Sequence, residues 1–212
     1  MNHVQQAERQ TQHFLLSESA PISASMWMAF GKHNPYIALL EFIPMVILSK
    51  SNYLAALQCP KLVWIKIHDK KRLPAVDECK QKIFDTGNLI GEYAKACFPG
   101  GVDIPDHDIA ENLAKTKELV EKRVTMFEPA FSLNNLYSRA DMLVPVGEDM
   151  WDIVEVKSST KVKDINIHDV SFQKLVYEMA GLKINRCFLM HINNKIIKPD
   201  VGVITNISYA HI

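Results

Sequence analysis

Residues 141 to 157 hold side chains whose types and order suit chemistry on a phosphate ester. Asp141 closes the run LYSRAD, the turn-forming stretch VGEDM follows, and WDIVEVKSS then carries Glu155, Val156 and Lys157. In a strand, alternate side chains share a face, so Glu155 and Lys157 lie on one side and Val154 and Val156 on the other. The run is apolar on both faces, which suits a central strand. A carboxylate and an ammonium there are costly unless paired or bound to metal. If VGEDM makes a hairpin, Asp141 comes beside Glu155, and a divalent cation would relieve the repulsion between the two acids. Oxygen donors of this kind suit magnesium or manganese.

The expected chemistry follows from that set. A metal held by Asp141, Glu155 and the Val156 carbonyl would polarise a phosphate oxygen and activate a water. Lys157 would orient or deprotonate the water and stabilise charge on the phosphorane, a role helped by a lowered lysine pKa. Gln173 and Tyr177 lie four apart on one predicted helix face, where both could reach a nucleic-acid backbone or the attacking water. Glu128, in MFEPAF, is a candidate accessory acid. Each feature alone has a plainer explanation. Glu-x-Lys is a common surface strand pair, and Asp141, Gln173 and Tyr177 alone suit a turn acid, a solvated helix edge and a core-rim aromatic.

The elements that must position these residues are legible in outline. SKSNYLAALQCP suits a short helix capped by Ser49 or Ser51 and stopped at Pro60. KLVWIKI is a brief apolar run. AVDECKQKIFDTGNLIGEYAKACF has helical spacing at Ile83, Leu89, Ile90 and Ala94, and Gly87 and Gly91 within it suggest close packing. FPGGVDIP suits a loop, and DHDIAENLAKTKELVEKR a helix with an acidic start and a basic end. Strand signals follow in VTMFEPAFS, NLYSRADMLVPV and MWDIVEVKSS. A helix is expected over roughly 167–180, with Gly181 as its C-terminal cap, and then strands at RCFLMHI and VGVITNI. Helices first, then three strands, then helix and strand predict an α/β fold on a mixed sheet flanked by helices.

The composition sets wider bounds. The chain of 212 residues is 48% apolar and 23% charged, as in a soluble globular domain. Its formal net charge is zero, so a basic surface for nucleic acid must be local. KIHDKKR at 66–72 and KSSTKVK at 157–163 are the dense basic stretches, and such runs are commonly a solvated face. The four cysteines, Cys59, Cys79, Cys97 and Cys187, have no close spacing, which argues against a disulfide framework and a zinc site. The first residues lack the order of a secretory signal, and a cytoplasmic location is expected. PYIALLEFIPMVIL, at 35–48, is too short for a membrane span and carries Glu41 and Pro44. Residues 1–33 are polar and expected to be poorly ordered.

RAD…WDIVEVKSS followed by QKLVYEMAG resembles the PD-(D/E)XK nuclease superfamily in its RecB-like branch, which includes CRISPR-associated exonucleases. The resemblance covers about residues 49–195. LSKSNYLAALQCPKLVWIK and TGNLIGEYAKACFPGG are similar to the start of a larger bacterial family with this domain near its N-terminus. The resemblance implies a restriction-endonuclease-like fold over residues 48–198, between an atypical segment 1–47 and a strand-like tail 199–212. It implies hydrolysis of DNA, at ends or single strands, with Asp141 and Glu155 as metal ligands and Lys157 as the catalytic lysine. Gln173 and Tyr177 fall in its auxiliary Gln-x-x-x-Tyr motif.

Two departures qualify that expectation. RecB-like nucleases often have a metal-binding histidine in the early glycine helix; here Glu92 is the available oxygen ligand. Related exonucleases hold an iron–sulfur cluster through one early cysteine and three late ones. Cys59 matches the first, but no cysteine follows Cys187, so no cluster is expected. The tail KPDVGVITNISYAHI is similar to a motif of Mur ligases, but the chain has no P-loop to support that activity. The alternative to an active nuclease is a truncated, catalytically weak module that binds nucleic acid or a partner protein.

Overall fold

The computed structural model describes residues 47–105 and 108–194, and the backbone of a strand at Ile207–His211. The expectations for residues 1–33, for most of 35–48 and for VGVITNI up to residue 206 lie outside the described residues. Among the described residues, nine strands form two sheets. In chain order they are β1 (Leu48–Ser49), β2 (Val102–Asp103), β3 (Met126–Phe127), β4 (Ala130–Leu133), β5 (Leu136–Arg139), β6 (Met142–Val146), β7 (Met150–Lys157), β8 (Lys183–Ile192) and β9 (Ile207–His211). The larger sheet has the order β2-β3-β6-β7-β8-β9 and the smaller β1-β5-β4. Both mix parallel and antiparallel pairs. The fold is mixed α/β, with mixed sheets flanked by helices, as the element order predicts.

Five helices accompany the strands among the described residues: α1 (Lys50–Gln58), α2 (Pro60–His68), α3 (Glu78–Lys95), α4 (Ile109–Lys122) and α5 (Asp164–Met179). Ser49 caps α1 by accepting from the Asn52 N–H. Pro60 ends α1 and also opens α2 at its first turn, where its missing N–H costs nothing. KLVWIKI is therefore helical, an outcome that an apolar run of this length leaves open. FPGGVDIP is not all loop, because β2 pairs in parallel with β3 inside it. Gly101 is needed there: a Cβ would lie 2.3 Å from the Phe127 ring.

The core lies on both faces of the larger sheet. On one face, Val170, Phe172, Val176 and Tyr177 of α5 pack with Leu143, Trp151, Ile153 and Leu189. On the other, Ala94 of α3 meets Phe127, Met142, Val154 and Met190. Residues 153 and 154 thus face opposite layers, as strand alternation requires. β7 is flanked by β6 and β8, so it is the interior strand its composition suggests. The expectation of close packing at Gly87 and Gly91 is corrected, since nothing lies within 4 Å of a Cβ at either. Of α3, only Ala94 is buried, while Ile83, Phe84, Leu89 and Tyr93 are each more than half exposed.

Candidate active site

The VGEDM stretch is the turn of an antiparallel hairpin, with Gly147 at φ 58° and Met142 opposite Val154. That register brings Asp141, just before β6, to the C-terminal end of β7. Its Oδ2 accepts from the Val156 backbone N–H at 2.6 Å. The Val156 amide thus holds the acid in place. The two acids expected to meet do so, because a hairpin places the start of one strand beside the end of the next.

Glu155 projects towards α5 and is 1% exposed. Its Oε1 accepts from Lys157 Nζ at 2.5 Å and Lys50 Nζ at 3.0 Å, and its Oε2 accepts from Gln173 Nε2 at 2.8 Å. Asp169 of α5 completes the cluster. Its Oδ2 takes Lys157 at 2.7 Å, and its Oδ1 takes Gln173 at 2.9 Å and pairs with Lys50 at 3.2 Å. Lys50 and Asp169 are absent from the sequence expectation. Asp169 had a usable signal: Asp169, Gln173 and Tyr177 are spaced i, i+4, i+8 and must share one face of α5. Lys50 is 105 residues from Glu155 and has no spacing signal.

The charges shape one another. Burial pushes Glu155 up, but Lys50 and Lys157 outweigh it and hold the carboxyl down to about 2. Asp141 goes the other way: burial, then the charge of Glu155, push it up to about 7 despite both lysines. Burial alone would lower the lysines, but for Lys157 the charges of Glu155 and Asp169 prevail and raise it. The lowered lysine expected for a water-deprotonating role is therefore corrected, because two carboxylates within 2.7 Å favour its charged form. Lys50 is raised for the same reason.

Gln173 and Tyr177 are fully buried, which corrects the expectation that both could reach a nucleic-acid backbone or the attacking water. Both hold the acids instead. Gln173 spends its amide donors on Glu155 and Asp169; its Oε1 faces away, buried and without a hydrogen-bond partner among the described residues. The Tyr177 hydroxyl donates to Pro129 O at 2.7 Å and accepts from Ala140 N at 2.9 Å. It pins the corner next to Asp141. Each residue of the Gln-x-x-x-Tyr pair thus braces the surroundings of one acid.

Glu128 sits at the same corner, its N–H donating to Asp141 O at 2.9 Å. Its φ of 59° is the strained left-handed region for a residue with a side chain. Its carboxylate pairs with Arg139 at 3.1 Å. Burial, then the charge of Asp141, push it up to about 7. Glu92 is not drawn in: its side chain is 71% exposed and pairs with Lys95 at 3.1 Å. Cys59 lies at the α1–α2 junction, Cys79 near the start of α3, and both are exposed.

The donor set bears on which ion fits. Among the described residues, no three of His, Cys, Asp and Glu converge as a ready cation cage. A softer metal that demands four protein ligands does not fit. Magnesium commonly takes one or two carboxylates and completes its shell with water and substrate phosphate. Asp141 and Glu155 fit that mode, and the upward push of Glu155 on Asp141 marks a site short of positive charge. Among the described residues no helix is long and apolar enough to cross a membrane. No family model matches the chain, and no curated protein or solved structure matches it.

Proposed function

We propose that the chain is a magnesium- or manganese-dependent nuclease of the RecB-like PD-(D/E)XK type, with a restriction-endonuclease-like sheet, that hydrolyses DNA phosphodiester bonds. One observation carries this: Asp141 bonds to Val156 N at 2.6 Å while Glu155 and Lys157 project from the flanking positions of the same strand. Acid, acid and cation meet at one end of an interior strand, in the order the resemblance requires. A bound divalent ion would polarise the phosphate and lower the pKa of the attacking water.

The chain's own residues supply the rest. Asp141 and Glu155 would hold the ion, and Gln173 and Tyr177 keep both acids in register. Lys157, held charged by Glu155 and Asp169, acts as a cation, orienting the water and stabilising the phosphorane. The water oxygen bonds to phosphorus and gives up a proton to solvent, the bond to the leaving oxygen breaks, and that oxygen takes a proton from solvent. The basic loop that continues from Lys157 exposes Lys161 and Lys163, placing positive charge next to the site for a DNA backbone.

A second reading has its own support. Both Glu155 oxygens already have partners within the chain, and no third ligand converges among the described residues. A nuclease-fold module that binds nucleic acid or a partner without efficient turnover would look like this. Labelled single- and double-stranded DNA, incubated with magnesium or manganese, separates the two. Cutting by wild type that is lost in Glu155→Ala supports the nuclease. Metal binding without cutting by wild type supports the module.

A further inference from the structure

We propose that Lys50 is the resident counter-ion of the carboxylate cluster, displaced from Glu155 by an incoming divalent cation and thereby freed to bind the substrate's phosphate. The inference rests on the metal-dependent reading above and adds a residue and a sequence of events to it.

Lys50 stands apart from the Glu-x-Lys strand. It is the first residue of α1, and it crosses to Glu155 Oε1 at 3.0 Å and Asp169 Oδ1 at 3.2 Å. Its side chain is 20% exposed against 1% for Glu155, and that of Lys157 is 26% exposed, so both ammoniums reach the buried acid from its partly open side. With Asp141 ionised, as a metal ligand must be, Asp141, Glu155 and Asp169 against Lys50 and Lys157 leave one net negative charge. A divalent ion bound to Asp141 and Glu155 would reverse that sign and repel both ammoniums. It would also compete for Oε1, which both lysines share.

One lysine must yield, and the geometry decides which. Lys157 holds its two carboxylates at 2.5 and 2.7 Å, closer than Lys50 does, and its strand is fixed between two neighbours. Lys50 has the longer contacts, at 3.0 and 3.2 Å, and enters from a helix outside the sheet. Once released, its ammonium lies at the open side of a site with net positive charge, where an anionic phosphate enters. The partial positive charge at the start of α1 points the same way.

Calorimetric titration with Mn2+ tests the displacement on wild type, Lys50→Met and Lys50→Arg. Removing the competitor should tighten binding about tenfold in Lys50→Met, while Lys50→Arg, still a cation, stays near wild type. Equal or weaker binding in Lys50→Met overturns the inference and leaves the nuclease reading standing. No Mn2+ binding by any of the three proteins overturns both. A variant-free check is the Lys50 Nζ resonance in lysine-labelled wild type. It should move on Mg2+ saturation, and an unmoved signal overturns the displacement. At saturating Ca2+, Lys50→Met should bind a short single-stranded oligonucleotide about tenfold more weakly than wild type. Equal affinity overturns the phosphate role.

Discussion

The Gln173 amide donates to Glu155 Oε2 at 2.8 Å from a side chain with no solvent exposure. Gln173 of α5 therefore aims the strand's acid from a position closed to solvent. A residue that braces a metal-binding carboxylate from behind typically contributes 10–100-fold to activity or metal affinity (~10–100-fold). Gln173→Ala should lower kcat by about that factor and leave KM for DNA unchanged. A rise in KM with kcat preserved would show that Gln173 touches substrate.

Tyr177→Phe should cost both stability and rate. It removes the hydroxyl that joins Pro129 O to Ala140 N, one residue before Asp141. Loss of these buried hydrogen bonds costs about 1–2 kcal/mol. Chemical denaturation should report that loss, with weaker Mn2+ binding as the corner beside Asp141 loosens. An unchanged midpoint and unchanged affinity would refute the bracing role.

Lys157→Met should abolish cleavage and also destabilise the fold. Lys157 bridges Glu155 and Asp169, both nearly inaccessible. Removing one partner of a buried pair costs about 3–5 kcal/mol, and with Lys157 26% exposed we expect nearer ~2 kcal/mol. Glu155→Gln, which keeps the shape and one acceptor, should lose cleavage with a smaller stability loss than Glu155→Ala. Melting curves beside cleavage assays check both orderings.

The pH dependence of the metal-free protein should slope the wrong way for an ordinary acid. Asp141 is pushed up to about 7 from 3.8, so the folded state holds its proton more tightly than the unfolded chain does. Its contribution is fully present below pH 3.8 and is lost as pH rises through about 7. Glu155 is the opposite case: its contribution is present above pH 4.5 and is lost as pH falls through about 2. Asp141→Asn should therefore be more stable than wild type at pH 8 without metal, by on the order of 2 kcal/mol. Mn2+ should stabilise wild type more at pH 8 than at pH 5. Parallel stability profiles for wild type and Asp141→Asn would refute this.

Local pattern determined much of the scaffold. Alternation along WDIVEVK dictates which residues face each layer, and VGEDM between two apolar runs dictates a hairpin. Together they bring Asp141 to Glu155 before any long-range contact is considered. Four-residue spacing likewise puts Gln173 and Tyr177 on one face of α5, and Gly181, at φ 98°, ends that helix region as expected. These features are local in sequence, so residue type and period suffice to predict them.

What pattern could not determine is which side chains that face meets. The helix period does not say that α5 turns Gln173 and Tyr177 inward, where they brace acids instead of meeting a nucleic acid. The apolar run KLVWIKI suits a strand or a helix, and after Pro60 it is a helix with no buried residue. Lys50 comes to Glu155 across 105 residues, and no spacing encodes a contact at that distance. Asp169, with Glu155, reverses the expected direction of the Lys157 pKa against both burial and the charge of Lys50. Electrostatics in a buried cluster depend on every charge within a few ångströms, and only the tertiary structure determines which charges those are.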